Sequence, residues 1–247
     1  MTPKGPSRQK RPEPASSLAA QAYNELRDKI LKGDFALGAP LSRRKLAQTL
    51  KMSFIPISDA LQRLENEGLV ESKPRVGTRV KIPTEDDVRD RYILREALET
   101  QAARLFSVRA SEEEKQELVR MASHLDRLYE VCANETPDPD FLFSVHTYHL
   151  NLHLRIAEAT GSKALRDAIE MKQVLIFNWL YDTAARRFVL PRNFHSHLAM
   201  ELTHGEPERA DAEMRMHIQY GLDQVLEQIA ALKPLSDSGW RLKKLER

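Results

Sequence analysis

The chain has 247 residues, a formal net charge of +2 and a hydrophobic content of 41%. This length allows two hydrophobic cores, and because no apolar run approaches a membrane span, the sequence predicts a cytoplasmic protein without a membrane partner. Its single cysteine, Cys132, excludes an intrachain disulfide and fits a reducing compartment.

Charge is divided unevenly along the chain. Residues 1–82 carry 16 Lys+Arg against 8 Asp+Glu, whereas residues 83–247 carry 22 against 28. Residues 1–16 are basic and proline-rich and lack the apolar stretch of a signal peptide, so we predict a disordered arm. The basic excess predicts a nucleic-acid-binding domain at residues 17–82, joined to a domain of another kind.

Residues 40–66 have the pattern of two short helices separated by a tight turn. Ser42 is the candidate N-cap of the first helix. Ser53 is the candidate cap of the second, which has Pro56 in its first turn and ends at Gly68. The apolar positions follow helical spacing: Leu41, Leu46, Ala47 and Leu50 in the first helix, and Ile57, Leu61 and Leu64 in the second.

A β-hairpin is predicted directly after these helices. Leu69 and Val70 begin its first strand, Gly77 supplies the positive φ of its turn, and residues 78–82 return. Two helices followed by such a hairpin form a winged helix-turn-helix, which places a helix in the major groove of double-stranded DNA. The pattern therefore predicts a protein that reads DNA.

The chain from residue 83 to residue 233 is predicted to be an all-α bundle, which makes the fold class mainly α. Thr84 with Asp87 forms a near capping box at the start of the first helix, and Ser111 begins the second. Further helices are predicted over residues 140–160 and 162–187, then up to Gly205, and from about residue 207 to just before Pro234. Residues 234–247 are predicted to be a basic tail.

Histidines are concentrated in the second half of this helical region, at His146, His149, His153, His195, His197 and His217. His149 and His153 are four residues apart, so both side chains project from one helix face, as in helices that bind a metal ion. His195 and His217 belong to two further helices, and ligands from three helices can converge inside a bundle. Such pairs also occur in cores and on surfaces without a metal, so the spacing leaves both interpretations open.

The segment from Ser17 to Val80 resembles the DNA-binding domain of GntR-family bacterial transcription regulators. The resemblance lies in the runs SLAAQAYNELRDKILKGDFALGAPLSRRKLAQTLKMS, ALQRLENEGLV and GTRV. The rest of the chain resembles the helical, FCD-type ligand-binding domain of the FadR branch. This resemblance implies a homodimeric transcription regulator, a repressor that a small carboxylate effector releases from a palindromic operator.

The resemblance also indicates which residues meet DNA: Arg43, Arg44, Ser53, Phe54, Ser58, Arg75, Gly77 and Thr78. Arg44 and Gly77 keep the residues typical of the family, whereas Phe54 and Ser58 stand where the family usually has arginine. Because arginine pairs bidentately with guanine, their absence predicts an operator that departs from the guanine-centred one of the family. Phe54 either packs on a thymine methyl group or is buried in the turn.

Ligand domains of this branch commonly hold a divalent metal with one aspartate and three histidines. The matching positions are His149, His153, His195 and His217, with His197 as a reserve ligand. His149 stands where the family usually has aspartate, which makes the ligand set softer and favours Zn²⁺ or Ni²⁺ over Mn²⁺. The same departure leaves open a site that binds no metal.

An ion with an open coordination position would anchor a small carboxylate, the kind of effector that the resemblance implies. Arg95 matches an arginine of the family's first ligand-domain helix and is a candidate for pairing with a second carboxylate. Its alternative is a surface salt bridge to Glu99, four residues on. Asn178 and Tyr181 are candidate lining residues of the effector pocket.

Two other function classes are compatible with these residues. A metal-dependent enzyme could use the histidine cluster for hydrolysis, but the sequence has no HExxH motif and no evident general base beside the histidines. A DNA-binding protein without an effector would not require so large an acidic helical region. The sequence therefore favours an effector-responsive regulator over an enzyme.

Overall fold

The structure is a computed structural model that describes residues 17–135, 137–171 and 190–238. The N-terminal part contains α1 (Leu18–Leu31), β1 (Pro40–Leu41), α2 (Arg43–Thr49), α3 (Phe54–Asn66), β2 (Val70–Lys73) and β3 (Gly77–Val80). The C-terminal part contains α4 (Glu85–Arg109), α5 (Glu112–Asn134), α6 (Pro139–Ala159), α7 (Lys163–Met171), α8 (Phe194–Thr203) and α9 (Pro207–Ser238). The predicted fold class, mainly α with a helical C-terminal part, is confirmed.

Local caps explain why the N-terminal helices begin where they do. The Ser17 hydroxyl accepts a hydrogen bond from the backbone N–H of Ala20 at the start of α1, and Ser42 accepts one from Lys45 at the start of α2. Ser53 occupies the N-cap position of α3 as predicted, although its hydroxyl accepts no capping hydrogen bond. Helices α1 and α3 pack together over a core that includes Leu26, Ile30, Ile57, Leu61 and Leu64.

The wing is a three-stranded antiparallel sheet in the order β1-β3-β2. In the hairpin, Val70 pairs with Val80 and Lys73 with Gly77, whose φ of 128° is a conformation that side chains rarely adopt. Leu41 had been predicted on the buried face of the first helix, and this was wrong. It lies in β1, because Pro40–Leu41 pairs with β3, but it is buried in the same core.

The helices of the C-terminal part follow their sequence signals closely. Capping boxes are present at Thr84 with Asp87 and at Ser111 with Glu114. Gly161 and Gly205 have positive φ directly after α6 and α8, where a left-handed residue ends a helix. The long helix α9 packs along α4, and together they form much of a second core around residues such as Phe106, Leu118, Leu198 and Ile218.

The C-terminal end of helix α9 differs from the sequence-based prediction. The helix was predicted to end before Pro234 but continues to Ser238. A proline removes one backbone hydrogen bond and crowds the preceding turn, yet it does not have to end a helix.

Three predicted segments lie wholly or mostly outside the described residues: the arm at 1–16, most of the helix at 162–187 and residues 239–247 of the tail. Among the described helices, none combines the length and apolar character needed to cross a bilayer.

Helix α6 touches both parts of the molecule. At its N-terminal end, Asp140 accepts a hydrogen bond from Lys32 of the winged-helix part at 2.7 Å. The Lys32 ammonium also lies 5.0 Å from the centre of the Phe143 ring. Phe143 packs against the core of the winged-helix part, and Leu150 packs against both cores. The helix therefore connects the two cores directly.

Candidate metal centre and nucleic-acid interface

Three helices bring four imidazole side chains together inside the helical part. His149 and His153 lie one turn apart on α6, His195 lies in the first turn of α8, and His217 lies on α9. Potential ligand atoms of His149, His153 and His217 all lie within 4.8 Å of one another. The ring centre of His195 is 4.8 Å from that of His149 and 5.4 Å from that of His217. The structure thus places the four predicted ligands in one cluster.

A buried carboxylate from α4 holds His153. Oε2 of Glu99 lies 2.7 Å from Nδ1 of His153, while Oε1 accepts a hydrogen bond from Nε of Arg95 at 3.0 Å. Burial raises the pKa of Glu99, but the positive charge of Arg95 and the contact with His153 outweigh it and lower the pKa below its ordinary value. The carboxylate is therefore ionised and holds Nδ1 of His153 away from the centre of the cluster.

Arg95 also reaches the cluster directly. Its Nη2 lies 3.5 Å from Nε2 of His153. The pair with Glu99 that the sequence suggested does form, but it is buried rather than at the surface. The guanidinium is thus placed beside the imidazoles, where an anionic ligand of the cluster could also meet it.

A second carboxylate, from α5, holds His195. Oδ1 of Asp126 accepts hydrogen bonds from the backbone N–H and from Nδ1 of His195, at 2.9 and 2.8 Å, and Oδ2 accepts one from the backbone N–H of Ser196. Burial raises the pKa of Asp126, but these hydrogen bonds outweigh it and lower the pKa to about 2. Asp126 therefore both caps α8 and orients the His195 ring.

His149 is the one partly accessible member of the cluster. Its Nδ1 lies 3.1 Å from the hydroxyl of Tyr129, and its Nε2 lies 3.0 Å from Nε2 of His153. Burial, together with the neighbouring histidines and Arg95, lowers the pKa of His149 and of His217 well below the ordinary value. Burial also lowers the pKa of His195, against the opposing effect of Asp126. These three imidazoles are neutral near pH 7 and keep a lone pair.

The donor set fits a divalent metal ion. Nδ1 of His149, His153 and His195 is each occupied by a neighbouring group, so their Nε2 atoms remain for the centre. Nε2 of His195 and Nδ1 of His217 are buried without a hydrogen-bond partner among the described residues, which is costly unless something else binds them. The 3.0 Å between Nε2 of His149 and Nε2 of His153 is close to the spacing of about 3.0–3.4 Å for two imidazoles on one Zn²⁺ or Ni²⁺.

Sequence reasoning missed the two carboxylates behind the histidines. Glu99 was considered only as a surface partner of Arg95, and Asp126 was not considered. A signal for Asp126 existed, because it lies on the apolar face of α5 between Ala122 and Tyr129 at helical spacing. Both carboxylates compensate the positive charge that an all-imidazole ligand set leaves on an ion.

Some predicted residues lie elsewhere. The His197 side chain is 60% exposed, and its Nδ1 lies 2.9 Å from Glu213, so the reserve ligand is on the surface outside the cluster. Asn178 and Tyr181 lie outside the described residues. His146 is buried with neither ring nitrogen hydrogen-bonded within the described part of the chain, and burial lowers its pKa to about 3.

The predicted DNA-contacting residues fall into two groups. Arg43, Arg75, Gly77 and Thr78 line a surface groove of about 710 Å³ between the start of α2 and the wing. Thr78 is only 6% exposed, and its hydroxyl is hydrogen-bonded with Ser72, so little of it is accessible to DNA. Arg44, Ser53, Phe54 and Ser58 lie outside this groove, on α2 and at the start of α3.

The sequence left open whether Phe54 is buried in the turn or available to DNA. Its side chain is 58% exposed, so burial in the turn is wrong. Its exposed position at the start of α3 leaves the ring available to a partner outside the chain.

Comparison with known proteins identifies the family. The sequence profile of the bacterial regulatory proteins of the gntR family matches residues 18–80, and that of the FCD domain matches residues 90–220, which is more than half of the chain. The chain belongs to the GntR family, with an FCD domain. It is therefore a transcriptional regulator with a winged-helix DNA-binding domain, and not an enzyme.

Individual relatives agree with this assignment. The HTH-type transcriptional regulator YdhC of Bacillus subtilis (strain 168) is 30% identical over 129 residues, 52% of this chain and 56% of that protein. The Nta operon transcriptional regulator of Aminobacter aminovorans is 27% identical over 78% of this chain and 87% of that protein. The chain thus spans little more than half of the first relative's length and most of the second's.

A solved structure shows the same fold. A crystal structure described as that of a transcriptional regulator GntR from Rhodococcus sp. RHA1 superposes with a TM-score of 0.68 at 22% identity. The superposition covers 86% of this chain and 99% of that one. The fold is therefore shared at low sequence identity.

Proposed function

We propose that this GntR-family regulator is a homodimeric repressor whose release from a palindromic DNA operator is controlled by a small carboxylate bound at a metal centre in its FCD domain. The observation that carries the proposal is the convergence of four imidazoles from three helices on one buried point, with an ionised carboxylate behind two of them. Such a cluster serves no evident purpose in packing, because it leaves buried nitrogens without hydrogen-bond partners in the described part of the chain.

His149, His153, His195 and His217 would hold the ion, with Zn²⁺ or Ni²⁺ favoured by the nitrogen ligands. A bound divalent ion supplies a positive centre with an open coordination position that attracts a carboxylate. Glu99 and Asp126 fix the ring orientation of His153 and His195, so these two donors are preorganised. His149 is the partly accessible member of the cluster, so an effector would approach the centre from its side.

Arg95 provides a reason for the effector to be an anion. Its guanidinium lies 3.5 Å from an imidazole of the cluster and is buried, with Glu99 as its ion-pair partner. A carboxylate ligand would add a second negative charge within reach of this cation. A neutral or cationic ligand would not offset the positive charges of the Arg95 guanidinium and the metal ion, which lie side by side at this site.

Helix α6 supplies the route from this centre to the DNA-binding domain. His149 and His153 lie on the same helix as Asp140 and Phe143, which contact the winged-helix part. His149 lies six positions after Phe143, which is about 9 Å along the helix. An effector that favours one position of α6 would shift the equilibrium between two domain arrangements, but only as far as its affinities for the two arrangements differ.

The metal centre is tested by thermal unfolding of full-length protein with chelator and with added Zn²⁺ or Ni²⁺, for wild type, His153→Ala and His197→Ala. Binding to the folded state alone raises the melting temperature. We expect the metal to stabilise wild type and the exposed-surface control His197→Ala equally, and to leave His153→Ala unchanged. Equal stabilisation of all three proteins would rule out the assigned ligands.

The effector is tested by operator binding of the metal-loaded protein in the presence of a panel of mono-, di- and sugar carboxylates. We expect at least one carboxylate to weaken DNA binding by roughly five- to 150-fold, the usual range of allosteric coupling. The same compound should have no effect on Arg95→Met or on chelator-treated protein. DNA affinity that no carboxylate changes would favour a DNA-binding protein without an effector.

A further inference from the structure

The outward face of α3 is apolar at its start. Helix α3 packs on α1 through its buried residues Ile57, Ala60, Leu61 and Leu64. Its exposed positions are Phe54, Ile55, Asp59, Gln62, Arg63, Glu65 and Asn66, and Ser58 is half-buried. Phe54 and Ile55 are 58% and 73% exposed, so two large apolar side chains stand side by side in solvent in the first turn. They add little to the stability of the fold, because water still covers most of each.

The first two turns of α3 carry no basic residue that could read guanine. Arg63 is the one basic residue between positions 54 and 66. Its guanidinium lies 3.7 Å from the centre of the Tyr23 ring, and its Nε donates a hydrogen bond to Glu67 at 3.2 Å. Tyr23 in turn donates a hydrogen bond to the same carboxylate at 2.7 Å. Arg63 therefore contacts Tyr23 and Glu67 near the end of α3 rather than its first turn, and 59% of its side chain stays exposed.

In a helix-turn-helix, the N-terminal residues of the second helix contact base edges in the major groove. Thymine is the base that presents a methyl group there, and apolar side chains are the ones that read it. We propose that Phe54 and Ile55 are specificity-determining residues that recognise the 5-methyl groups of thymines in each operator half-site. The proposal rests on the proposed function, since it requires sequence-specific binding to a DNA operator.

The expected change in DNA affinity can be estimated from the burial of one thymine methyl group. Removing about one CH₂ or CH₃ group from water contributes about 0.8 kcal/mol, which corresponds to about a fourfold change in affinity. A half-site with one contacted thymine should therefore lose about fourfold in affinity when that methyl group is removed. Two contacted thymines should lose more than tenfold.

The test begins with operator selection from random duplex DNA by the full-length protein. Each thymine of the selected half-site is then replaced by deoxyuridine, which removes the 5-methyl group and keeps every hydrogen-bonding group. Where thymine is instead replaced by cytosine, 5-methylcytosine returns the methyl group alone. Wild type, Phe54→Ala, Ile55→Ala and the double variant are compared, with Val131→Ala as an exposed apolar control in the helical domain.

We expect wild type and Val131→Ala to lose about fourfold in affinity at one or two deoxyuridine positions and to regain part of the cytosine loss with 5-methylcytosine. The double variant should be indifferent to both changes, while its melting temperature stays unchanged. A selected half-site that is insensitive to deoxyuridine throughout would overturn the inference and leave the proposed function standing. Failure of the protein to select any sequence would overturn both.

Discussion

At the residue scale, the candidate centre depends on side chains that touch no ligand. Asp126 joins α5 to α8 by accepting hydrogen bonds from two backbone N–H groups and from the His195 ring. Glu99 holds the His153 ring in a similar way, through the 2.7 Å contact between its Oε2 and Nδ1 of His153. Carboxylates of this kind fix the tautomer and the orientation of metal-binding imidazoles, so their loss affects metal affinity as well as folding.

We expect Asp126→Asn to lower the free energy of unfolding of metal-free protein by about 2 kcal/mol, because the lowered pKa of Asp126 reflects interactions that need its charge. Zn²⁺ affinity should fall by about ten- to 100-fold, because the His195 ring loses its charged partner. Urea denaturation and metal titration measure the two effects. Asp223→Asn, exposed on α9, is the control and should change neither; an Asp126→Asn protein with wild-type metal affinity would contradict the assigned role.

A second prediction at this scale concerns acid. Burial raises the pKa of Asp87, but hydrogen bonds from Lys81 and from the backbone and hydroxyl of Thr84 outweigh it, so the pKa is lowered. A lowered carboxyl pKa stabilises the folded state above the unfolded value near 4, and this contribution is lost as the pH falls through the folded value. We expect Asp87→Asn to cost about 1 kcal/mol at pH 7, as for other helix caps.

The cost of Asp87→Asn should shrink as the pH falls below the unfolded value near 4 and should disappear once the pH is below the lowered pKa of Asp87, where wild type also loses the carboxylate. Urea denaturation across this range measures the difference. Asp86→Asn is the matched control, since Asp86 lies in the same first turn but outside the capping box. A difference between wild type and Asp87→Asn that persists unchanged at low pH would mean that the charge of Asp87 is not what stabilises the helix start.

At the element scale, the sequence predicted the helix boundaries that local caps and turns determine. It missed the features that depend on contacts between residues far apart in the chain. The starts of α2, α4 and α5 follow from caps within four residues, and the ends of α6 and α8 from the glycines that follow them. Strand β1 has two residues and exists only because β3 pairs with it. The four histidines could be selected by spacing and resemblance. The apolar face of α5 indicates that Asp126 points inward, but the contacts of Glu99 and Asp126 with the histidines depend on how the helices pack, which no local pattern indicates.

The pair His195 and His197 shows the same limit within one element. Residues two apart on a helix point in nearly opposite directions, so one of the two had to face the core. Only the packing of α8 against α5 and α9 decides which. His195 is the one that faces inward, and His197 pairs with Glu213 on the surface.

The contact of α6 with the winged-helix part gives a prediction for domain coupling. Phe143 packs against the winged-helix core, whereas Phe141, two residues earlier, packs against the helical core. We expect Phe143→Ala to separate the thermal unfolding of the two domains into two resolved transitions in calorimetry. Phe141→Ala should lower the stability of the helical domain and keep the transitions coupled. A single transition in the Phe143→Ala protein would show that the domains are joined by other contacts.

At the scale of the whole molecule, the charge division and the fold point to one arrangement on DNA. The basic first third carries the winged helix, and the acidic remainder carries the FCD domain. One recognition helix reads too few base pairs to find a single site in a genome, since each base pair adds only about 1–3 kcal/mol of discrimination. Pairing two chains about a two-fold axis doubles the readout and requires an operator of the same symmetry.

We therefore expect a dimer at micromolar concentration by sedimentation, with and without DNA. The dimer should bind a palindrome at least tenfold more tightly than a single half-site of equal length, because the second half-site is engaged intramolecularly at high effective concentration. Changing the centre-to-centre spacing of the half-sites by about five base pairs should remove this advantage, since the second recognition helix would then face the opposite side of the duplex. A monomer that binds half-site and palindrome equally tightly would contradict the arrangement, and the FCD domain would then have to act on a single DNA-bound winged helix.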